Sequence, residues 1–172
     1  DLVSSEITDF LKNKGIKIII GSQLEKNISI DLDLVVYSPA VPKDNLEYKK
    51  AKELGLNLKS YPEALGGLTK KYFTIAVSGA HGKSTTTAMM GLVLIKAGLD
   101  PTIIVGTKLK EFGGSNFRIG ESKYLVIEAC EYDSSFSYYF PKITVVTNLD
   151  KEHLDYFKTF KNIIFEFKRF IS

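Results

Sequence analysis

Tyr72-Phe73-Thr74-Ile75-Ala76-Val77, continued by Ser78-Gly79-Ala80-His81-Gly82-Lys83-Ser84-Thr85, decides how this chain folds. A short apolar run rich in β-branched residues predicts a buried strand over 72–77, and the pattern from Lys83 to Ala97, stopped by Gly98, predicts a helix. Between them lies a glycine loop. Such a loop lets backbone amides close around phosphate oxygens, and the helix N-terminus adds partial positive charge. Lys83 can reach outer phosphates and the Ser84 hydroxyl can ligate magnesium. Gly79, Ala80, His81, Gly82, Lys83, Ser84 and Thr85 are therefore candidates for holding a nucleotide triphosphate. Val77 stands where the common phosphate loop has its first glycine, so the match is to the shorter G-x-x-G-K-S form. Thr85, Thr86 and Thr87 are poor interior helix formers. Either the first turn tolerates them or their hydroxyls face phosphate or sugar.

Two further strand ends carry polar groups. Lys123 to Ile127 predicts a strand that ends in Glu128, and ligands of parallel α/β sheets gather at the carboxyl ends of strands. Glu128 is thus expected beside the loop after Val77, where a hard oxygen donor suits magnesium. Glu131 and Asp133 follow in the next loop and suit a surface equally well. A strand over Ile143–Val146 leads into Thr147-Asn148-Leu149-Asp150-Lys151-Glu152-His153-Leu154-Asp155-Tyr156. His153 and His81 are expected to reach one cleft, and Asp150, Glu152 and Asp155 either orient the His153 ring or face solvent. Phe160 to Ile171 predicts an amphipathic helix whose apolar face packs on the core. Cys130 has no histidine near it in sequence, which favours a packing role.

Upstream, a helix is predicted over Ser4–Lys14, strands over Ile16–Ile20 and Leu32–Tyr37, a helix over Leu46–Leu54 and a strand over Leu56–Ser60. Strand and helix alternate in both halves, so the fold class is α/β with parallel sheets. Tyr61-Pro62 and Gly66-Gly67 interrupt the pattern, placing a domain boundary near Lys71, with domains over 1–71 and 72–172. In 172 residues, 44% hydrophobic and 25% charged, nothing suggests disorder. A net charge of +3 is too weak to imply nucleic acid or a membrane surface as partner. One cysteine and two histidines exclude an internal disulfide or a closed zinc site, and point to a reducing, cytoplasmic compartment. No apolar run approaches the roughly 20 residues of a membrane span. The first residue, Asp1, and the uncapped pattern at Ser172 read as those of a piece cut from a longer chain.

Ser78–Thr87, Glu128–Phe136 and Thr147–Tyr156, in that order, resemble the three ATP-site signatures of the Mur ligases. Asp33-Leu34-Val35-Val36-Tyr37-Ser38-Pro39-Ala40-Val41, Asn45 and Ala51-Lys52-Glu53-Leu54-Gly55 extend the likeness over nearly the whole chain. Ala80 departs from it, standing where the family usually has threonine. The resemblance implies an incomplete Rossmann-like N-terminal domain that binds a UDP-substrate, followed by part of a P-loop-type parallel-sheet domain that binds ATP. It implies an ATP-dependent amide ligase of peptidoglycan precursor synthesis, with UDP-N-acetylmuramate and L-alanine as small-molecule substrates and an acyl phosphate as intermediate. Lys83 and His153 would be catalytic, and Ser84, Glu128 and His153 would hold Mg2+. Asn116 and Asn148 are the candidate substrate contacts. A ligase of murein peptides, a folylpolyglutamate synthase and a non-catalytic ATP-binding module are the alternatives. The piece alone is expected to be inactive, because the family's amino-acid-binding domain is not within it.

Overall fold

The computed structural model describes residues 3–172. The chain forms two compact units, residues 1–61 and 62–172.

In the first unit, α1 (Glu6–Asn13) begins at Ser5, whose hydroxyl accepts the Thr8 amide while the Thr8 hydroxyl accepts the Ser5 amide. This reciprocal cap satisfies two donors that the first turn leaves without partners. β1 (Val35–Tyr37) and β2 (Leu58–Ser60) pair in parallel and are joined through α2 (Leu46–Glu53). α2 is capped by Asn45, whose side chain accepts the Tyr48 amide at 3.0 Å. The Tyr48 ring meets Tyr37 edge-on at 5.1 Å, tying helix to strand. The expected strand over Ile16–Ile20 is not formed. Among the described residues the sheet of this unit contains β1 and β2 alone, and the isoleucine run is irregular with Ile16, Ile19 and Ile20 exposed.

The second unit is built on a five-stranded sheet in the order β5-β4-β6-β3-β7. β3 (Phe73–Ser78), β6 (Tyr124–Glu128), β7 (Ile143–Val146) and β4 (Thr102–Leu109) run parallel, and β5 (Ser115–Arg118) closes the edge antiparallel to β4. Ala76, Val77, Leu125, Val126 and Ile127 are wholly buried, as near-continuous apolar runs in a covered parallel sheet should be. β4 and β5 were not anticipated. Pro101 and the glycines at Gly106, Gly113 and Gly114 break up their apolar pattern.

Tyr61–Thr69 is a helix, α3, rather than an interruption. Pro62 lies in its first turn, where a missing N–H costs nothing. Gly66 is there for space, since a Cβ at that position would stand 2.3 Å from the Tyr138 carbonyl oxygen. α4 (Lys83–Lys96) and α6 (Phe160–Ile171) fall where expected. α6 buries Ile163, Phe167 and Phe170 against Phe136, while Ile171 at its end is exposed.

Where β4 begins and β5 ends, Asp100 pairs with Arg118 and accepts the Glu121 amide at 2.8 Å, and Arg118 also donates to the Pro101 carbonyl. The Glu121 N–H first, and then Arg118, holds the Asp100 carboxyl below its ordinary pKa. A carboxyl depressed on folding stabilises above its unfolded pKa, about 4, and loses that contribution as pH falls through the folded value. Asp100→Asn should therefore flatten the acid limb of the melting temperature against pH below about pH 4 and leave less to lose there than in the unmodified chain. Melting curves at stepped pH check this.

Candidate functional site

The sheet order determines where the chemistry gathers. β3 lies between β6 and β7, in register Val77 with Glu128 and Ser78 with Val146, so the loop after β3 is flanked by two other carboxyl ends. The polar segments that begin at Glu128 and Thr147 thus emerge on either side of Ser78–Thr85.

The Thr147-Asn148 pair clamps the loop. The Asn148 side chain accepts the His81 amide at 2.9 Å and donates to the His81 carbonyl at 2.9 Å. The Ala80 amide donates to the Asn148 carbonyl at 3.1 Å, and the Thr147 hydroxyl donates to the His81 carbonyl at 2.7 Å. Both ends of the Asn148 side-chain amide are therefore engaged by loop backbone. Gly79 makes this approach possible. Its φ is +132° and a Cβ there would lie 2.1 Å from Thr147 Oγ1, so both conformation and space exclude a side chain.

Lys83 opens α4 and its ammonium is largely buried, donating to the carbonyls of Gly79 at 2.6 Å and Ala80 at 3.0 Å and to Glu131 Oε1 at 3.0 Å. Glu131 is almost fully buried, with its other carboxylate oxygen lacking a partner among the described residues. His153 Nε2 lies 3.9 Å from the same Glu131 oxygen. Glu131, Glu152 and His153 each present one ligand atom, all within 4.8 Å of one another. Sequence reasoning put Glu131 behind Glu128, yet it is Glu131 that touches Lys83. The signal that could have found it is its position three residues beyond the strand end, in a loop that must pass in front of β3.

Glu128 is half-buried at the end of β6 and accepts the Gly106 amide at 2.6 Å. Gly106 on β4 was missed from sequence. A Cβ there would come within 2.8 Å of both Glu128 oxygens, so the glycine keeps the carboxylate against the strand. Gly106→Ala should swing Glu128 away at little cost in stability, because the crowded atoms end a flexible side chain. If Glu128 ligates magnesium, as the resemblance to the Mur ligases implies, the variant should raise the magnesium concentration needed for half-maximal turnover of the complete gene product about tenfold, the usual effect of disturbing a group that orients a ligand. A magnesium titration with parallel melting curves separates the two effects.

His81 is exposed, with Nε2 3.5 Å from Asp150 and Nδ1 3.3 Å from Glu152. The carboxylates expected to orient His153 thus include two that flank His81. The Lys151 amide first, then His81, holds the Asp150 carboxyl below its ordinary pKa. His153 has a left-handed φ of +54° at the start of α5 (Leu154–Phe157), and its ring stands edge-on to Tyr132 at 5.0 Å. Ser84 is half-buried in the first turn of α4, and the Thr87 hydroxyl donates back to the Lys83 carbonyl at 2.8 Å, away from the loop mouth. Partial desolvation, then Glu131 and Glu128, pushes the Cys130 thiol above its ordinary pKa, against the Tyr132 backbone N–H and Lys83. That keeps the thiol protonated and a poor nucleophile. Asn116 is exposed on the edge strand β5, two strands removed from β6, and no hydrogen bond described for the second unit joins it to the loop.

A phosphate-loop turn at the carboxyl end of β3, flanked by carboxylates and histidine from the ends of its two parallel neighbours, is an architecture of ATP-using ligases. Residues 77–172 match the Mur ligase middle domain and residues 1–73 the Mur ligase family catalytic domain. The chain belongs to the Mur ligase family. It is 51% identical over 172 residues to the UDP-N-acetylmuramate–L-alanine ligase of Acetivibrio thermocellus, covering 99% of this chain and 36% of that one. Among solved structures it is similar to the UDP-N-acetylmuramate-alanine ligase MurC of Thermotoga maritima, with a TM-score of 0.83 and 29% identity over 99% of this chain and 40% of that one. It is also similar to the UDP-N-acetylmuramate:L-alanyl-gamma-D-glutamyl-meso-diaminopimelate ligase of Neisseria meningitides, with a TM-score of 0.84 and 25% identity over 98% of this chain and 57% of that one. The chain spans little more than a third of the length of the curated relative it matches.

Proposed function

We infer that the chain supplies the ATP site, and part of the UDP-substrate domain, of a cytoplasmic ligase that joins L-alanine to UDP-N-acetylmuramate. In this reading residues 1–71 belong to the substrate domain and 72–172 to the ATP domain. The observation that carries it is the meeting of Lys83, Glu131 and His153 beside a clamped glycine loop, in a chain about half identical to ligases of that name. No helix among the described residues is long and apolar enough to cross a membrane.

The substrate carboxylate attacks the γ-phosphorus of ATP, ADP leaves, and an acyl phosphate forms. The amine of L-alanine then attacks the acyl carbon, phosphate departs, and loss of a proton leaves the amide. Bringing a carboxylate to a triphosphate gathers anions, so the chain's task is positioning and charge neutralisation. The loop amides of residues 79–85 hold the phosphates, and Lys83 donates to their oxygens as negative charge shifts during transfer. His153 would take part by holding a divalent cation. The donor set fits a divalent cation, since Glu128, Ser84 and the cluster of Glu131, Glu152 and His153 offer oxygens and an imidazole in a partly desolvated place. Ser84 and Glu128 would hold one such ion and His153 a second. Magnesium there supplies neutralisation of the phosphate oxygens and keeps them in line.

The test is phosphate release by the complete gene product from ATP with UDP-N-acetylmuramate and one amino acid or peptide at a time. L-alanine should be the preferred acceptor. Preference for a murein tripeptide would assign the neighbouring ligase activity, and ATP binding with no phosphate release from any acceptor would replace the ligase with a binding module.

A further inference from the structure

An ammonium has three hydrogens to donate, and each of those on Lys83 is taken, by the Gly79 carbonyl, the Ala80 carbonyl and Glu131 Oε1. Lys83 therefore has no donor left for a phosphate. To reach one it must give up an acceptor. The two carbonyls belong to the loop, whereas Glu131 belongs to the separate segment after β6, 48 residues along the chain. Exchanging the carboxylate for a phosphate oxygen keeps an anion on the ammonium and a charge-assisted bond in place.

We propose that Glu131 is a positioning residue, the resident counter-ion of Lys83, which holds the lysine in the loop until a nucleotide phosphate displaces it. This rests on the ATP-site reading above. The displacement leaves Glu131 as a buried anion without its cation, which is unfavourable unless another positive charge replaces Lys83. The surroundings supply the place for one. His153 lies 3.9 Å from the carboxylate, Glu152 completes a set of ligand atoms within 4.8 Å, and the second Glu131 oxygen has no partner among the described residues. Glu131 thereby couples the two halves of the ligand. The phosphates take the lysine, and the carboxylate they release faces the divalent cation that accompanies them.

This gives an effect that a merely structural glutamate would not produce. Glu131→Gln keeps the shape and a hydrogen-bond acceptor but removes the charge that competes with phosphate. Binding of a non-hydrolysable ATP analogue to the complete gene product, measured by calorimetry in EDTA, should tighten at least about tenfold in Glu131→Gln, the scale of one charge-assisted bond. The enhancement that magnesium gives should shrink by a similar factor, so the ratio of affinities with and without metal moves toward one. Metal-free affinity that is unchanged or weaker in the variant would overturn the proposal. Absence of binding by the unmodified protein, with or without magnesium, would remove the ATP-site reading and this inference with it. If Glu131→Gln does not fold, the structure of the unmodified protein with the analogue decides. Lys83 Nζ should then sit on a phosphate oxygen and beyond about 4 Å from Glu131, outside ion-pair distance. A retained Lys83–Glu131 contact would refute the exchange.

Discussion

Lys83→Ala in the complete gene product should lower ATP-dependent phosphate release by at least about a hundredfold, the effect of deleting one donor aimed at developing charge. It should also destabilise the second unit. Lys83 is not a freely projecting loop side chain. Its ammonium is largely buried and pairs with a carboxylate that is 3% exposed. Removing one partner of such a pair leaves an uncompensated buried charge and costs about 3 kcal/mol. The two effects are separable. Adding Glu131→Gln to Lys83→Ala removes the stranded charge, so the double variant should regain most of the lost stability and none of the lost activity. Thermal melting and phosphate release on the single and double variants check this. Recovery of activity along with stability would mean that Lys83 acts only through the fold.

Phe136→Ala should cost about 3–5 kcal/mol, the range for removing a fully buried aromatic ring. Phe136 has no exposed surface, stacks on Phe170 at 4.4 Å and meets Phe167 edge-on at 5.1 Å. It therefore joins the kinked segment Tyr132–Tyr138, whose Asp133 and Ser134 are left-handed, to α6. That segment begins directly after Glu131, so the cavity is placed to loosen the carboxylate as well as the core. Urea unfolding should show the lower midpoint, and Phe136→Leu, which fills more of the space, should lose markedly less. A loss below about 1 kcal/mol for Phe136→Ala would show that the site collapses without a cavity.

The parts of this fold legible in the sequence are those with a local physical signature. β3, α4, β6, β7 and α6 announce themselves through apolar runs of strand or helix period with caps and stops at their ends. The parallel-sheet rule that ligands collect at carboxyl ends puts Glu128 and Thr147 on the same edge as the loop, while the strand order that sets them on either side of it is visible only in the structure. What was not legible depends on contacts distant in sequence. α3 reads as broken because Gly66 answers to Tyr138, more than a helix length away along the chain. The isoleucine run at 16–20 has strand composition, but composition alone does not set a run into a sheet. Gly106 carries no motif, and its value appears only when β4 lies beside β6. The same is true of His81, which sits between Asp150 and Glu152.

In the proposed function, Ser78–Thr85 and the segments after β6 and β7 form one site for magnesium and ATP phosphates. The most direct test is calorimetric titration of the complete gene product with a magnesium-bound, non-hydrolysable ATP analogue, beside the Lys83→Ala/Glu131→Gln double variant. Saturable one-to-one binding by the unmodified protein, lost or weakened at least about a hundredfold in the folded double variant, is the predicted result. Equal binding by both would contradict it.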